Sequence, residues 1–335
     1  MGRWLAALLL LAAGLAGAAE PVAPREHRRT EDQTFLTYPE WFLVHSPAEY
    51  AEFVRENDPG AFPFIGHVRQ FWSSYASVYR VTKESYPFNG EYHTMIMVIG
   101  VSTTVEYKLR SAYEVVLGRM TEFTRTGGRT PEDDYAARIA QDYVDFIRVQ
   151  PWYEYDFMAK LRGLWTQVPA LGPDMLRKWE RRYALTTEWL IKAGYGWLIM
   201  KATKASFEQP VPVTAVLVDR LPDVAGKLPD LKVLERRPAG AVLVTVPRYF
   251  AFRQYAGELA ARGAKFLEIA GNRGVILVTV LAPASWQSGA VLFEQPILTR
   301  PGTKRVALIV PVPLLHETLA AAARGEFEVE HVYDY

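Results

Sequence analysis

Apolar residues recur at helical spacing through the first two thirds of the chain and at strand spacing after it. Tyr50, Phe53 and Val54 follow Ser46-Pro47-Ala48-Glu49, a capping box with Pro at the first helical position. Thr130-Pro131-Glu132-Asp133 repeats that start signal and leads into one apolar stripe of Tyr135, Ile139, Tyr143 and Phe146. Helices are predicted between these over 65–81 and 92–123, the second ended by Gly127-Gly128, a pair suited to left-handed backbone. Two more are predicted over 152–165 and 174–205.

Beyond Pro210 the period shortens. Gln209-Pro210-Val211-Pro212 cannot continue a helix, because proline lacks the N–H and clashes with the preceding turn. Strands are predicted over 213–218, 232–236, 241–246, 291–294, 305–310 and 327–333, with a helical turn over 221–228. The segments 265–269 and 275–281 read as a hairpin around Gly271-Asn272-Arg273-Gly274. Helices are predicted over 249–261 and 314–323. A faint repeat runs through this half. Val244-Thr245-Val246-Pro247, a helix, Arg262-Gly263 and a strand match Val310-Pro311-Val312-Pro313, a helix, Arg324-Gly325 and a strand. Such β-α-β units build ferredoxin-like plaits.

The fold class predicted is therefore α+β: an N-terminal all-α domain followed by a ferredoxin-like, βαβ-repeat α+β domain. The boundaries are a leader over 1–19, a flexible linker over 20–36, a helical aromatic-rich domain over 37–206 and a plait-like domain over 211–335. Composition changes at the same place. All 7 Met lie at or before Met200, and of the 9 Trp only Trp286 lies beyond Trp197.

The leader predicts export. Arg3 supplies a positive start, an apolar Leu-, Ala- and Gly-rich run follows, and Ala16-x-Ala18 fits a signal peptidase site. Cleavage near Glu20 is expected; an uncleaved anchor is the alternative, weakened by a run shorter than the ~20 residues of a comfortable span. With 0 Cys, disulfides, thiolate metal sites, Cys nucleophiles and lipid attachment through Cys are excluded. Lys plus Arg is 38 against 37 Asp plus Glu, so no net field attracts nucleic acid. Phosphate-loop, dinucleotide, serine-hydrolase-elbow, metalloprotease and di-iron motifs are all missing, and no cofactor is implied. The His residues show no metal-ligand spacing.

Weaker chemistry remains. The run 94–105 carries no charge; it is too short to span a bilayer and reads as a core helix or one lying on a membrane surface. A second apolar run, 189–200, carries Gly194, Gly196 and Lys192. Thr103, Glu106, Arg110 and Glu114 share one helix face. They read as a solvated stripe with Glu106–Arg110 and Arg110–Glu114 pairs, or as a strip lining a pocket near His93. Two dense aromatic clusters hold Glu40 with Trp41, and Trp152 with its Tyr neighbours. Rings of this kind line ligand pockets and membrane rims as well as cores.

The candidate binding residues are thus Glu40, Trp41, His67, His93, Glu106, Arg110 and Trp152. The reading is an exported cell-envelope protein that binds an apolar or amphipathic ligand, or the membrane surface. One alternative is an envelope enzyme using Glu40, His67, His93 or Glu106 as acid–base groups. The other is a structural envelope protein with a protein partner.

Overall fold

The structure, a computed structural model, describes residues 20–206, 211–224 and 226–334. The leader lies outside the described residues. The chain divides into two compact units: 1–40, 72–96 and 210–335 form one, and 41–71 with 97–209 the other.

The first unit holds the α+β fold. Strands β1 (Val213–Val218), β2 (Lys232–Arg236), β3 (Val242–Pro247) and β4 (Phe266–Ile269) form one antiparallel sheet, in the order β2-β3-β1-β4. Strands β5 (Val275–Pro283), β6 (Val291–Pro296), β7 (Thr303–Pro311) and β8 (Glu328–Val332) form a second, in the order β6-β7-β5-β8. The two orders are the same permutation. Each half is strand, strand, strand, helix, strand, with one helix, Phe252–Ala261 or Leu315–Ala323, before its last strand. The repeat seen in the sequence is the β-helix-β part of each half. Its Arg-Gly turns match in conformation, with Gly263 at φ 78° and Gly325 at φ 81°. Both need the left-handed region that glycine enters at least cost. Val244, Val246, Phe252 and Phe266 from one half share a core with Val278, Val310, Leu315 and Phe327 from the other.

Three expectations change here. The predicted hairpin of 265–269 with 275–281 does not form. β4 pairs with β1, while β5 pairs with β7 and β8. Ala270 at φ 51° and Gly271 at φ 87° turn the chain out of one sheet and into the other. Residues 20–36, expected to be loose, are packed. The backbone N–H groups of Val22 and Ala23 donate to the buried carboxylate of Glu268, at 2.9 and 2.7 Å. Ala23 is fully buried, and Arg28 donates to the Ala23 and Pro21 carbonyls at 2.7 and 2.8 Å. The predicted helical turn over 221–228 is irregular at its described residues.

After a single helical turn, Gln33–Leu36, the longer helices are, in chain order, α1 (Tyr38–Phe53), α2 (Phe64–Ser85) and α3 (Gly90–Tyr113). Residues of all three fall in both units. α3 continues through a π-helical turn, Glu114–Gly118, into α4 (Arg119–Phe123). Then come α5 (Pro131–Ile147), α6 (Phe157–Gln167) and α7 (Met175–Ser206). The start of α5 is as predicted: Thr130 Oγ1 accepts from the Asp133 N–H, and the Asp133 carboxylate accepts from the Thr130 N–H. Ser46 is not a cap. α1 starts eight residues earlier at Tyr38 and runs through Pro47. Tertiary packing outweighs the local stop signal. The 152–165 helix is split, because Asp156 caps α6 by accepting from the Ala159 N–H at 2.8 Å. Gly127 and Gly128 do not adopt positive φ, and α4 ends at Phe123 before them. Tyr135, Phe157, Leu161, Leu164 and Trp189 form the core of this helical unit.

Candidate functional site

The second unit is organised by a line of charges between α3 and α7. Glu106, Arg110 and Glu114 sit four residues apart and so share one face. Each meets an opposite charge on α7. Lys192 Nζ lies 3.1 Å from Glu106 Oε1, and Arg110 Nη1 lies 3.4 Å from Glu188 Oε1. Arg181 donates to both oxygens of Glu114 at 2.9 and 3.0 Å. The partners descend along α7 as those on α3 ascend, so the helices run antiparallel. The stripe expected to face solvent with pairs inside one helix is instead an interhelical seam.

The seam continues towards α5. Glu132 accepts from Lys178 Nζ at 3.0 Å and from Arg182 Nε at 2.8 Å. Arg177 Nη2 lies 3.4 Å from Asp133 Oδ1. Arg177, Lys178, Arg181, Arg182, Glu114, Glu132 and Asp133 are all buried. Buried charges survive only when paired and hydrogen-bonded, and here each has its partner. At Glu188 burial favours the neutral acid, but Arg110 and then Lys192 hold its carboxyl down at about 2. The π-helical turn, a feature often found at functional positions, places Glu114 and Gly118 in this seam. A side chain at 118 would run into the Glu114 carboxylate. A cavity of about 20 Å³ lies beside the seam, lined by Tyr50, Arg110, Glu114, Asp133, Arg181 and Glu188. That is room for a water, not for an organic ligand.

Turning their charges inward leaves α3, α4 and α7 with apolar outer faces. On α3 and its continuation Val98, Val101, Val105, Leu109, Val116 and Met120 are exposed, Val101 by 52% and Leu109 by 67%. On α7 Leu176, Trp179, Leu190, Ile191, Trp197 and Leu198 are exposed, Ile191 by 65%. The two faces adjoin where the rings of Tyr113 and Tyr183 approach to 6.4 Å. Soluble surfaces rarely carry contiguous apolar patches of this kind without a use for them.

The sequence candidates fall in separate settings. Glu106 and Arg110 belong to the seam. Arg110 also stands 4.3 Å over the Tyr50 ring. Trp41 is buried, 6.1 Å from the His45 ring. Trp152 is half-buried against Tyr195 at 5.5 Å. Gly196 permits that approach: a Cβ there would stand 3.3 Å from the Tyr153 carbonyl oxygen. His67 is fully buried. Its Nδ1 is 2.9 Å from Ser46 Oγ, its Nε2 is 3.6 Å from Glu49 Oε2, and Ser46 Oγ is 2.6 Å from the Tyr107 hydroxyl. Ser, His and Glu in this order resemble a nucleophile relay in composition. Yet Ser46, His67 and Glu49 are all buried among Phe42, Phe62 and Phe64, and a nucleophile needs access to its substrate.

Glu40 and His93 belong to the first unit. His93 Nδ1 lies 3.0 Å from the Tyr75 hydroxyl, and its ring stacks on Phe88 at 4.9 Å. Burial lowers its pKa, with Asp32 opposing. Burial pushes the Glu40 carboxyl up to about 7, against the pull of Tyr92 and Arg248. A second buried acid shares that arginine. Asp334 is fully buried, and burial raises it to about 7 against Arg248, nearby backbone N–H groups and Arg29. Tyr249, which feels both carboxyls, is held at φ 61°. Of the four acid–base candidates, Glu40 and His93 belong to the first unit and His67 and Glu106 to the second. Sequence reasoning missed Arg248, Asp334, Glu132 and the Arg177–Arg182 run. The density of charge in Arg177-Lys178-Trp179-Glu180-Arg181-Arg182 was the available signal, but its burial was not visible. Among the described residues no group of His, Asp or Glu could hold a metal ion. No family model, curated protein or solved structure matches the chain.

Proposed function

We propose that this is an exported cell-envelope protein whose helical unit binds the surface of a lipid bilayer. One observation carries the reading: the helices that pair their charges with each other expose apolar side chains outwards along their length. An interfacial helix buries such a face about 5–10 Å deep at the headgroup boundary. Among the described residues no helix is long and apolar enough to cross a membrane. The seam charges offer a reason for lying on the surface, since α3 from Glu106 to Glu114 and α7 from Arg177 to Lys192 hold charge along one side.

A soluble apolar ligand held beside the seam is the poorer reading, because ligand cavities run to about 300–1,000 Å³ and the cavity there is about 20 Å³. The acid–base reading also loses ground, because Glu40 and His93 belong to one unit and His67 and Glu106 to the other.

Flotation of the full-length chain with phospholipid vesicles tests the proposal. Val101→Asp combined with Leu198→Asp leaves the seam intact and is expected to reduce the floated fraction several-fold. Equal flotation of the two proteins would exclude these faces. The leader is common to both, so its own lipid affinity cancels.

A further inference from the structure

From Met97 onwards the outer faces of α3, α4 and α7 are not purely apolar, and the exposed charges they carry without an ion-pair partner among the described residues have one sign. On α3, the π turn and α4, from Met97 onwards, the only exposed charged residues are Lys108 and Arg119. On the part of α7 whose side chains are described, the only one is Lys201. The Glu106 side chain on α3 is 42% exposed, but its carboxylate is neutralised by Lys192 at 3.1 Å. The cations of the seam, Arg110, Arg177, Lys178, Arg181, Arg182 and Lys192, each have a carboxylate within 4 Å. Lys108, Arg119 and Lys201 have none among the described residues. Lys201 Nζ instead stands 4.2 Å over the exposed ring of Trp197. A tryptophan beside a lysine is the pairing found at a membrane–water boundary, where the ring lies among the headgroups and the ammonium reaches water.

We propose that the bilayer bound by this surface is an anionic one, with Lys108, Arg119 and Lys201 meeting the headgroup phosphates. The inference rests on the bilayer reading above and adds the lipid class. Its basis is charge complementarity. The chain as a whole is nearly neutral at +1, so net charge alone would not direct it to an anionic membrane. From Met97 onwards the exposed charge of these helices that has no partner among the described residues is positive, and each such cation close to an anionic surface strengthens binding roughly fivefold. Long, flexible Lys and Arg stems allow the apolar neighbours to enter the interface while the charged ends stay at the phosphates.

Flotation on phosphatidylcholine vesicles with and without phosphatidylglycerol decides the matter. The full-length chain is expected to bind the anionic vesicles at least about tenfold more strongly, and to lose that preference near 1 M salt, where the screening length falls to about 3 Å. The triple variant Lys108→Gln, Arg119→Gln, Lys201→Gln should keep its binding to pure phosphatidylcholine and lose most of the preference. The three side chains are exposed and make no ion pair, so the fold is expected to survive. Equal binding of the unaltered chain to both vesicles, or a preference unchanged in the triple variant, would overturn the inference and leave the bilayer reading standing. Binding to neither vesicle would overturn both.

Discussion

Arg110 Nη1 lies 3.4 Å from Glu188 Oε1, across the gap between α3 and α7. The pair joins two helices far apart in the chain, and Lys192 Nζ holds the same carboxylate at 2.8 Å. Both faces of the helical unit follow from such contacts. Every charge committed to the seam is one fewer on the outside.

Arg110→Met should therefore destabilise the unit by about 1–2 kcal/mol, since Glu188 is only partly exposed, loses its guanidinium and keeps Lys192 alone. Arg110→Met with Glu188→Leu should recover much of that loss, because a buried ion pair is often replaceable by apolar side chains. Urea midpoints of the single and double variants measure it. A double variant no better than the single would mean that the pair itself stabilises the seam.

Glu40 and Asp334 give stability a pH dependence of known sign. Each carboxyl is raised to about 7 in the folded chain, by burial first. Unfolded, both lose their protons near 4. Between those values the folded chain binds protons that the unfolded chain does not, so stability falls as pH rises from about 4 to about 7. Below that window both states are protonated and the full stability is retained; above it the loss is complete. Melting temperature should fall across that range, and Asp334→Asn should flatten the fall. An unchanged slope in that variant would show that the dependence arises elsewhere.

Gly325→Ala isolates the conformational cost of the repeat's turn. At φ 81° with no atom within 4 Å of a new Cβ, the only penalty is the left-handed backbone, about 1–2 kcal/mol. Gly263→Ala should cost more, because its Cβ would stand 2.6 Å from Arg220 Nη2. Thermal unfolding of the two variants ranks them.

Ser46→Ala removes a hydroxyl that meets both His67 Nδ1 and the Tyr107 hydroxyl. Leaving two buried polar groups short of a partner should cost about 1–3 kcal/mol. Calorimetric unfolding of the variant reads it directly. A cost near zero would mean that His67 and Tyr107 re-pair without Ser46.

Much of the fold was readable from the chain itself. Helix and strand periods are local properties, so the stripe Tyr135 to Phe146 and the Val-rich strands declare themselves. The Arg-Gly turns at 262–263 and 324–325 marked the repeat because a positive φ restricts residue type. Thr130 and Asp133 needed no tertiary help to form their cap. Ser46 shows where local reading stops. Its box is as good as that at Thr130, yet contacts to His67 and Tyr107, distant in sequence, carry the helix through it.

Strand partners and charge partners lay outside that reach. The segment around Gly271 to Gly274 has the spacing of a hairpin, but β4 finds β1 and β5 finds β7, because the alternation of a strand names its faces and not its neighbour. Glu106, Arg110 and Glu114 look the same on a helix whether they face water or Lys192, Glu188 and Arg181. The sequence by itself determined the order of elements, the two-part composition, the repeat and the absence of thiol chemistry. Only the tertiary structure decided that the charges face inwards and Val101, Leu109 and Ile191 outwards. Burial is set by what packs against a helix, and a chain's periodicity leaves that unspecified.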